Sequence, residues 1–275
     1  MVEPIGDIPA AAIDRVQKAS GDLPIAGAIV LGSGLGVLLD SWDPVAALGA
    51  EDIEGYPRST VPGHAGRIAL VRFGDRAALV FQGRVHFYEG YGRGEVTYAV
   101  RLAAALGATW MLLTNASGAV DPRLSPGTIL VVEDHIRLLM GSTAGTGLSA
   151  GPRLRGSPYH PGRTEAAFRV LGREGLRVVR GVLAGGLGPS YETAAEVEMI
   201  RRMGGHAACM STVVEVEEAA RRGMEVAALS LVTNLATGLT SQALDHEEVV
   251  RAAKEGGLPL ARGIARLLES WSGSE

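Results

Sequence analysis

An α/β fold is what this sequence predicts, and three observations carry the prediction. Short apolar runs bounded by glycine alternate along the chain with segments whose apolar residues recur at helical spacing. The composition is 47% hydrophobic and 20% charged, the usage of a globular protein. No Pro/Ser-rich linker, low-complexity run or repeat of solenoid period interrupts the 275 residues. Residues 1–275 are therefore read as a single domain long enough to bury a sizeable core.

The elements follow in order. Ala10 to Ala19 has helical spacing and stops near Gly21. Ile25 to Leu31 reads as a buried strand running into Gly32-Ser33-Gly34-Leu35-Gly36, where missing side chains let backbone N–H groups approach an anion. Val37 stands where the third glycine of a dinucleotide fingerprint belongs and no P-loop lysine follows. Those five residues alone serve equally as a tight turn or a phosphate loop. Tyr56 to Arg67 is a Pro/Gly-flanked loop around His64. Ile68 to Phe73 and Ala77 to Phe81 form a hairpin about Gly74-Asp75.

The second hairpin strand feeds Arg84, His86 and Tyr88, which alternate onto one face if the chain stays extended. A guanidinium, an imidazole and a phenol on one face are costly in a core and useful in a cleft. A helix is expected over Glu95 to Leu106 and a strand over Thr109 to Thr114, delivering Asn115-Ala116-Ser117-Gly118. Ligands collect at that end of strands in open α/β sheets. Thr128 to Val132 is a strand leading to Asp134-His135, and Gly141 to Gly162 is a long glycine-rich loop. Thr164 to Arg173 is a helix and Arg177 to Leu183 a strand. Met224 to Val232 is a strand presenting Thr233-Asn234, and His246 opens a last helix running towards Trp271.

Between Gly185 and Thr212 two threonines carry the capping-box spacing, Thr193 with Glu196 and Thr212 with Glu215. Each is expected to open a helix with its side-chain oxygen on an unpaired backbone N–H. Glu192 and Ser211 then precede helix N-termini, which favours an ionised carboxylate at Glu192 and a bound anion at Ser211. Taken singly, each motif reads first as an ordinary cap.

Composition excludes several functions. A net charge of −4 with dispersed basic residues argues against a nucleic-acid surface. Cys209 is the single cysteine, so no intrachain disulfide forms, and the opening MVEPIGDIP lacks a signal-peptide pattern. A cytoplasmic protein is expected. Ile25 to Leu39, the most apolar early segment, is too short and glycine-broken to span a bilayer. His135, His160 and His206 lack the clustering of a metal site.

Seven motifs, GSGLG, STVPGHAGR, FQGRVHFYEGY, LTNASG, GPSYET, MSTVVEVE and SLVTNLATG, occur in the order in which they occur in the trimeric, 6-oxopurine-preferring purine nucleoside phosphorylases, and the chain resembles that family over nearly its whole length. The resemblance implies a central mixed β-sheet with a partly closed barrel, flanked by helices. It implies phosphorolysis of purine nucleosides, chiefly guanosine and inosine, to free base and ribose 1-phosphate in purine salvage, by a homotrimer that needs no cofactor or metal. It places phosphate on Ser33, His64, Arg84, His86, the Ala116 backbone and Ser211. Purine falls on Ala116, Tyr191, Glu192 and Asn234, and ribose on Tyr88, Met210 and His246. The catalytic set is Asn234, Glu192 and His86. The family's NPL and GPN motifs are missing between Met140 and Pro161, where an aromatic residue of relatives enters a neighbour's ribose site; Tyr159 is the candidate for that contact. Three rivals remain: a methylthioadenosine phosphorylase, which carries aspartate at the Asn234 position; a non-catalytic nucleoside-binding protein; and an NAD-dependent enzyme.

Overall fold

The computed structural model describes residues 6–21, 23–40, 42–61, 66–139, 156–240 and 246–272. Its strands are β1 (Ile25–Leu31), β2 (Pro44–Gly49), β3 (Arg67–Phe73), β4 (Arg76–Gln82), β5 (Trp110–Ala119), β6 (Ile129–Arg137), β7 (Val178–Gly185), β8 (Ala207–Cys209) and β9 (Glu225–Leu235). They form one mixed sheet in the order β2-β3-β4-β1-β5-β8-β7-β6-β9, and β9 pairs back onto β5. The last five strands therefore close into a barrel, and β5 belongs both to it and to the open sheet. Leucine-, valine- and isoleucine-rich strands buried on both faces suit this central position.

Helices cover the sheet on both sides. On one side lie α1 (Ala10–Ser20), α4 (Tyr98–Ala105) and α7 (Val213–Arg221). On the other lie α2 (Val37–Asp40), α5 (Pro161–Arg173) and α8 (His246–Ser272). β1 shows the period-two logic, with Ala28 and Val30 in one core cluster and Ile29 and Leu31 in the other. The short α3 (Arg93–Val96) precedes α4, and α6 (Ala194–Arg202) follows the cleft segment.

The helix expected over Glu95 to Leu106 is broken at Thr97, whose hydroxyl turns back onto the Arg93 carbonyl at 2.7 Å. β5, β6 and β9 run three to five residues past their expected ends, because barrel pairing continues where the apolar run stops. β2 and β8 have no counterpart in the sequence reading; β2 alternates on an edge and β8 is three residues long. Of the expected 141–162 loop, residues 141–155 lie outside the described residues, and Pro161 already starts α5. Among the described residues no helix is long and apolar enough to cross a membrane.

Gly27 lies opposite Trp110 across the β1–β5 pair. A Cβ there would stand 2.1 Å from the indole ring, which is itself held edge-on by Trp271. Overpacking of this kind costs about 1–3 kcal/mol. Gly27→Ala is therefore expected to lower the denaturant midpoint with an unchanged slope, measured by urea unfolding.

Candidate active site

The carboxyl ends of β1, β4, β5 and β9 and the segments around α6 and α7 surround a cleft. Ser33, Arg84, His86, Tyr88, Ala116, Tyr191, Glu192, Met210, Ser211 and Asn234 all line it. Ten of the thirteen residues named from the sequence thus meet in one place. His64 lies outside the described residues. His246 starts α8, but its side chain also lies outside them.

Tyr159 is placed differently from its expected role. Its side chain is 4% exposed within the core, with its hydroxyl 3.1 Å from His135 Nδ1 and its ring edge-on to the imidazole. Burial also drives its phenol pKa well above the ordinary value. A tyrosine held by this packing neither lines the cleft nor reaches out from the surface.

One end of the cleft is built for an anion. After β1 the chain turns at Gly32–Gly36, with Leu35 N–H donating to the Gly32 carbonyl at 3.0 Å. Gly34 has φ +73 and packs so closely on α8 that a Cβ would meet Ala253 at 2.5 Å. Ser33 is carried in this turn. Arg84 is 7% exposed, and its Nε faces both Glu215 oxygens at 3.2 and 3.1 Å. Its Nη1 donates to the Thr114 carbonyl at 2.8 Å and lies 3.5 Å from Ser211 Oγ.

His86 follows in a short turn. Glu89 Oε1 accepts from the His86 N–H at 2.8 Å and sits 2.9 Å from its Nδ1. The carboxylate therefore favours the tautomer with the proton on Nδ1. Arg84, His86 and Tyr88 do come together, although β4 ends at Gln82 and Tyr88 stands in a 3-10 turn, its ring stacked on His86 at 4.7 Å. Burial, then Glu89, push the Tyr88 phenol up to about 12, so it remains a neutral donor.

The other end suits a heterocycle edge. Thr193 caps α6, accepting from Glu196 N–H at 3.3 Å while Glu196 returns to the Thr193 N–H at 2.7 Å. Glu192 stands immediately before this cap. Burial raises its pKa, the cost of holding a carboxylate beside the cleft. Asn234 accepts from the Thr233 hydroxyl at 2.8 Å and donates to the Leu235 carbonyl at 3.0 Å. Among the described residues this uses two of the four hydrogen bonds an amide can make.

The second expected cap differs from the first. Thr212 N–H donates to Glu215 Oε2 at 3.0 Å, but its hydroxyl contacts Asn115 and Ser211 instead of the helix N-terminus. The reason is its backbone, φ 71 and ψ −51, which points the side chain away from α7. Other lining residues went unassigned from the sequence. Asn115, Ser117 and Thr233 were legible as small polar groups at strand ends, whereas Cys209 and Val249 carry only ordinary core patterning. The Cys209 thiol is pushed up to about 12 by burial and stays protonated. Among the described residues no group of three His, Cys, Asp or Glu could hold a metal ion.

Residues 28–269 match the family model described as the phosphorylase superfamily. Purine nucleoside phosphorylase 1 of Geobacillus stearothermophilus is 41% identical over 231 residues, covering 82% of this chain and 84% of that one. The chain belongs to the purine nucleoside phosphorylase family. A Schistosoma purine nucleoside phosphorylase solved with hypoxanthine is similar at TM-score 0.81 and 29% identity, covering 94% of this chain and 95% of that one. The Schistosoma mansoni enzyme solved with adenosine is similar at TM-score 0.82 and 28% identity, again covering 94% and 95%. The match spans both the open sheet and the barrel of this phosphorylase.

Burial raises the Glu89 carboxyl, but the Thr60 N–H, the His86 ring and N–H, and the Thr60 hydroxyl outweigh it and hold the pKa below the ordinary value. A lowered folded-state pKa contributes stability above the unfolded value and loses it as pH falls through the folded one. Glu89→Gln is accordingly expected to be less stable than wild type at neutral pH. The gap should close under acid, as read by urea unfolding at the two pH values.

Proposed function

We propose that this chain catalyses phosphorolysis of purine nucleosides with a preference for guanosine and inosine, serving purine salvage. The observation that carries the reading is that one cleft is lined both by an acceptor, Glu192, and a donor, Asn234, and by Arg84, His86 and Ser211. A 6-oxopurine presents N1–H to the carboxylate and N7 and O6 to the amide. Adenosine would present a 6-amino group to the amide and an unprotonated N1 to Glu192.

Phosphate sits on Ser33, Arg84, His86, Ser211 and the Ala116 backbone, with His64 completing the set. Charge-assisted hydrogen bonds from Arg84 contribute about 1.5–3 kcal/mol each. Tyr88, Met210 and His246 hold ribose, and Tyr191 covers the base. A phosphate oxygen attacks the anomeric carbon as the glycosidic bond breaks, giving ribose 1-phosphate with inverted configuration. Negative charge develops on the departing purine, where Asn234 donates; one such donor is worth about 3–4 kcal/mol of barrier. Deoxyribonucleosides follow the same course. The reaction uses phosphate as co-substrate and requires no cofactor. We take residues 1–275 as one domain acting in a cytoplasmic homotrimer.

Free-base release from guanosine, inosine and adenosine, with and without phosphate, tests the reading. Cleavage of the first two is expected only with phosphate. Cleavage without phosphate would indicate a hydrolase, and a preference for adenosine would reject the base-site assignment. Asn234→Asp replaces the amide donor with an acceptor, so it should lower kcat/KM for guanosine by about a hundredfold and raise the adenosine-to-guanosine ratio; an unchanged ratio rejects its role.

Glu192 supplies a pH test. Its raised pKa means that protonation removes the acceptor for N1–H earlier as pH falls. The acid limb of kcat/KM for guanosine should include a group titrating above the ordinary glutamate range and missing in Glu192→Ala. Wild-type affinity for guanosine in that variant would count against the assignment.

A further inference from the structure

A line of hydroxyl and amide groups runs beneath the cleft from its base end to its anion end. Ser117 Oγ is 2.6 Å from Ser230 Oγ, which is 2.5 Å from Asn115 Oδ1. Asn115 Nδ2 is 2.8 Å from Thr212 Oγ1, and Thr212 Oγ1 is 3.2 Å from Ser211 Oγ. Asn115, Ser117, Thr212 and Ser230 are all buried, so bulk water does not compete for these bonds.

The distances set the direction of each bond. A separation of 2.5 Å fits O–H···O and is too short for N–H···O, so the amide oxygen of Asn115 faces Ser230 and its nitrogen faces Thr212. That oxygen only accepts, so the Ser230 hydroxyl is its donor, with Ser117 Oγ a second acceptor within reach of the same hydroxyl. The amide nitrogen only donates, so Thr212 Oγ1 accepts and has its own hydrogen left for Ser211. With that hydrogen directed to it, Ser211 Oγ takes a hydrogen bond from Thr212 and also lies 3.5 Å from the Arg84 donor. Its own hydrogen is left for the cleft.

The backbone keeps Thr212 in place for this. Among the described residues it alone is a non-glycine with positive φ, and Val213 N–H reaches the Ser211 carbonyl across it at 2.8 Å. This is the strained form of γ-turn, here carrying a β-branched residue. Glu215 clamps the turn at the Thr212 N–H. Strain retained beside a cleft points to a role there.

We propose that Asn115 and Thr212 are positioning residues that fix the Ser211 hydroxyl as a donor towards the bound oxyanion. The proposal rests on the reading of Ser211 as part of the phosphate seat. A hydroxyl locked as donor favours an anion whose oxygens all accept. Left to rotate, it could turn a lone pair towards the same oxygens.

Steady-state phosphorolysis of guanosine by the full chain, varying phosphate and nucleoside separately, tests this. Thr212→Val keeps the branched shape but removes the relay, and should raise the phosphate KM about tenfold, with the nucleoside KM within about twofold. Thr212→Ser restores the hydroxyl and should return the phosphate KM to near wild type. Ser230→Ala, away from the cleft lining, frees the Asn115 amide to turn over and should raise the phosphate KM about threefold; it decides the matter if Thr212→Val does not fold. Arg84→Gln tests the seat itself. If it raises the phosphate KM while Thr212→Val and Ser230→Ala do not, the relay is rejected and the seat stands. Equal rises in both KM values for Thr212→Val reduce its role to structure and reject the proposal. An unchanged phosphate KM in Arg84→Gln overturns the phosphate seat and the proposal with it.

Discussion

The buried pair between Arg84 and Glu215 is the contact on which the site's geometry depends. Their side chains are 3% and 1% exposed, and neither charge would be tolerated there alone. Removing one partner from such a pair costs about 3–5 kcal/mol, because the other is left uncompensated. Arg84 follows β4 and Glu215 belongs to α7, so the pair ties the open sheet to the helix beside the barrel. The same carboxylate receives the Thr212 N–H. The guanidinium and the strained turn before α7 therefore share one anchor.

The cleft combines groups of opposite electrostatic character. A guanidinium, an imidazole and hydroxyls line it together with a carboxylate whose pKa is raised by burial. Glu192 remains costly in its ionised form until a donor meets it, whereas the anion seat is assembled beforehand from bonded groups. Preorganised donors lose little on reaction because they need not reorient. Tyr88, with its pKa pushed to about 12, lines the same cleft and adds no charge of its own.

Much of this was legible in the sequence because strand ends and glycine turns announce themselves locally. β1 runs from Ile25 to Leu31 as expected, the hairpin turns at Gly74, and ten of the named residues line one cleft. What stayed hidden depends on tertiary pairing. β8 has three residues and exists because β5 and β7 flank it. The Thr212 cap has the right spacing but the wrong backbone, since spacing does not reveal a positive φ. Tyr159 looked available in a polar, glycine-rich stretch, yet His135, far away in sequence, draws it into the core. The Asn115 relay joins residues up to 115 positions apart and has no local signature at all.

β5 has a further consequence. Asn115 bonds to Thr212 on one side of the cleft, and Gly118, three positions along the same strand, pairs with Asn234. Strand rise is about 3.3 Å per residue, so the span between the two positions is metered by peptide geometry and not by side-chain packing. The strand acts as a gauge bar. Side chains beside Asn234 can therefore be exchanged for others of different hydrogen-bonding sense without altering how far that position stands from Asn115 and the turn at Thr212.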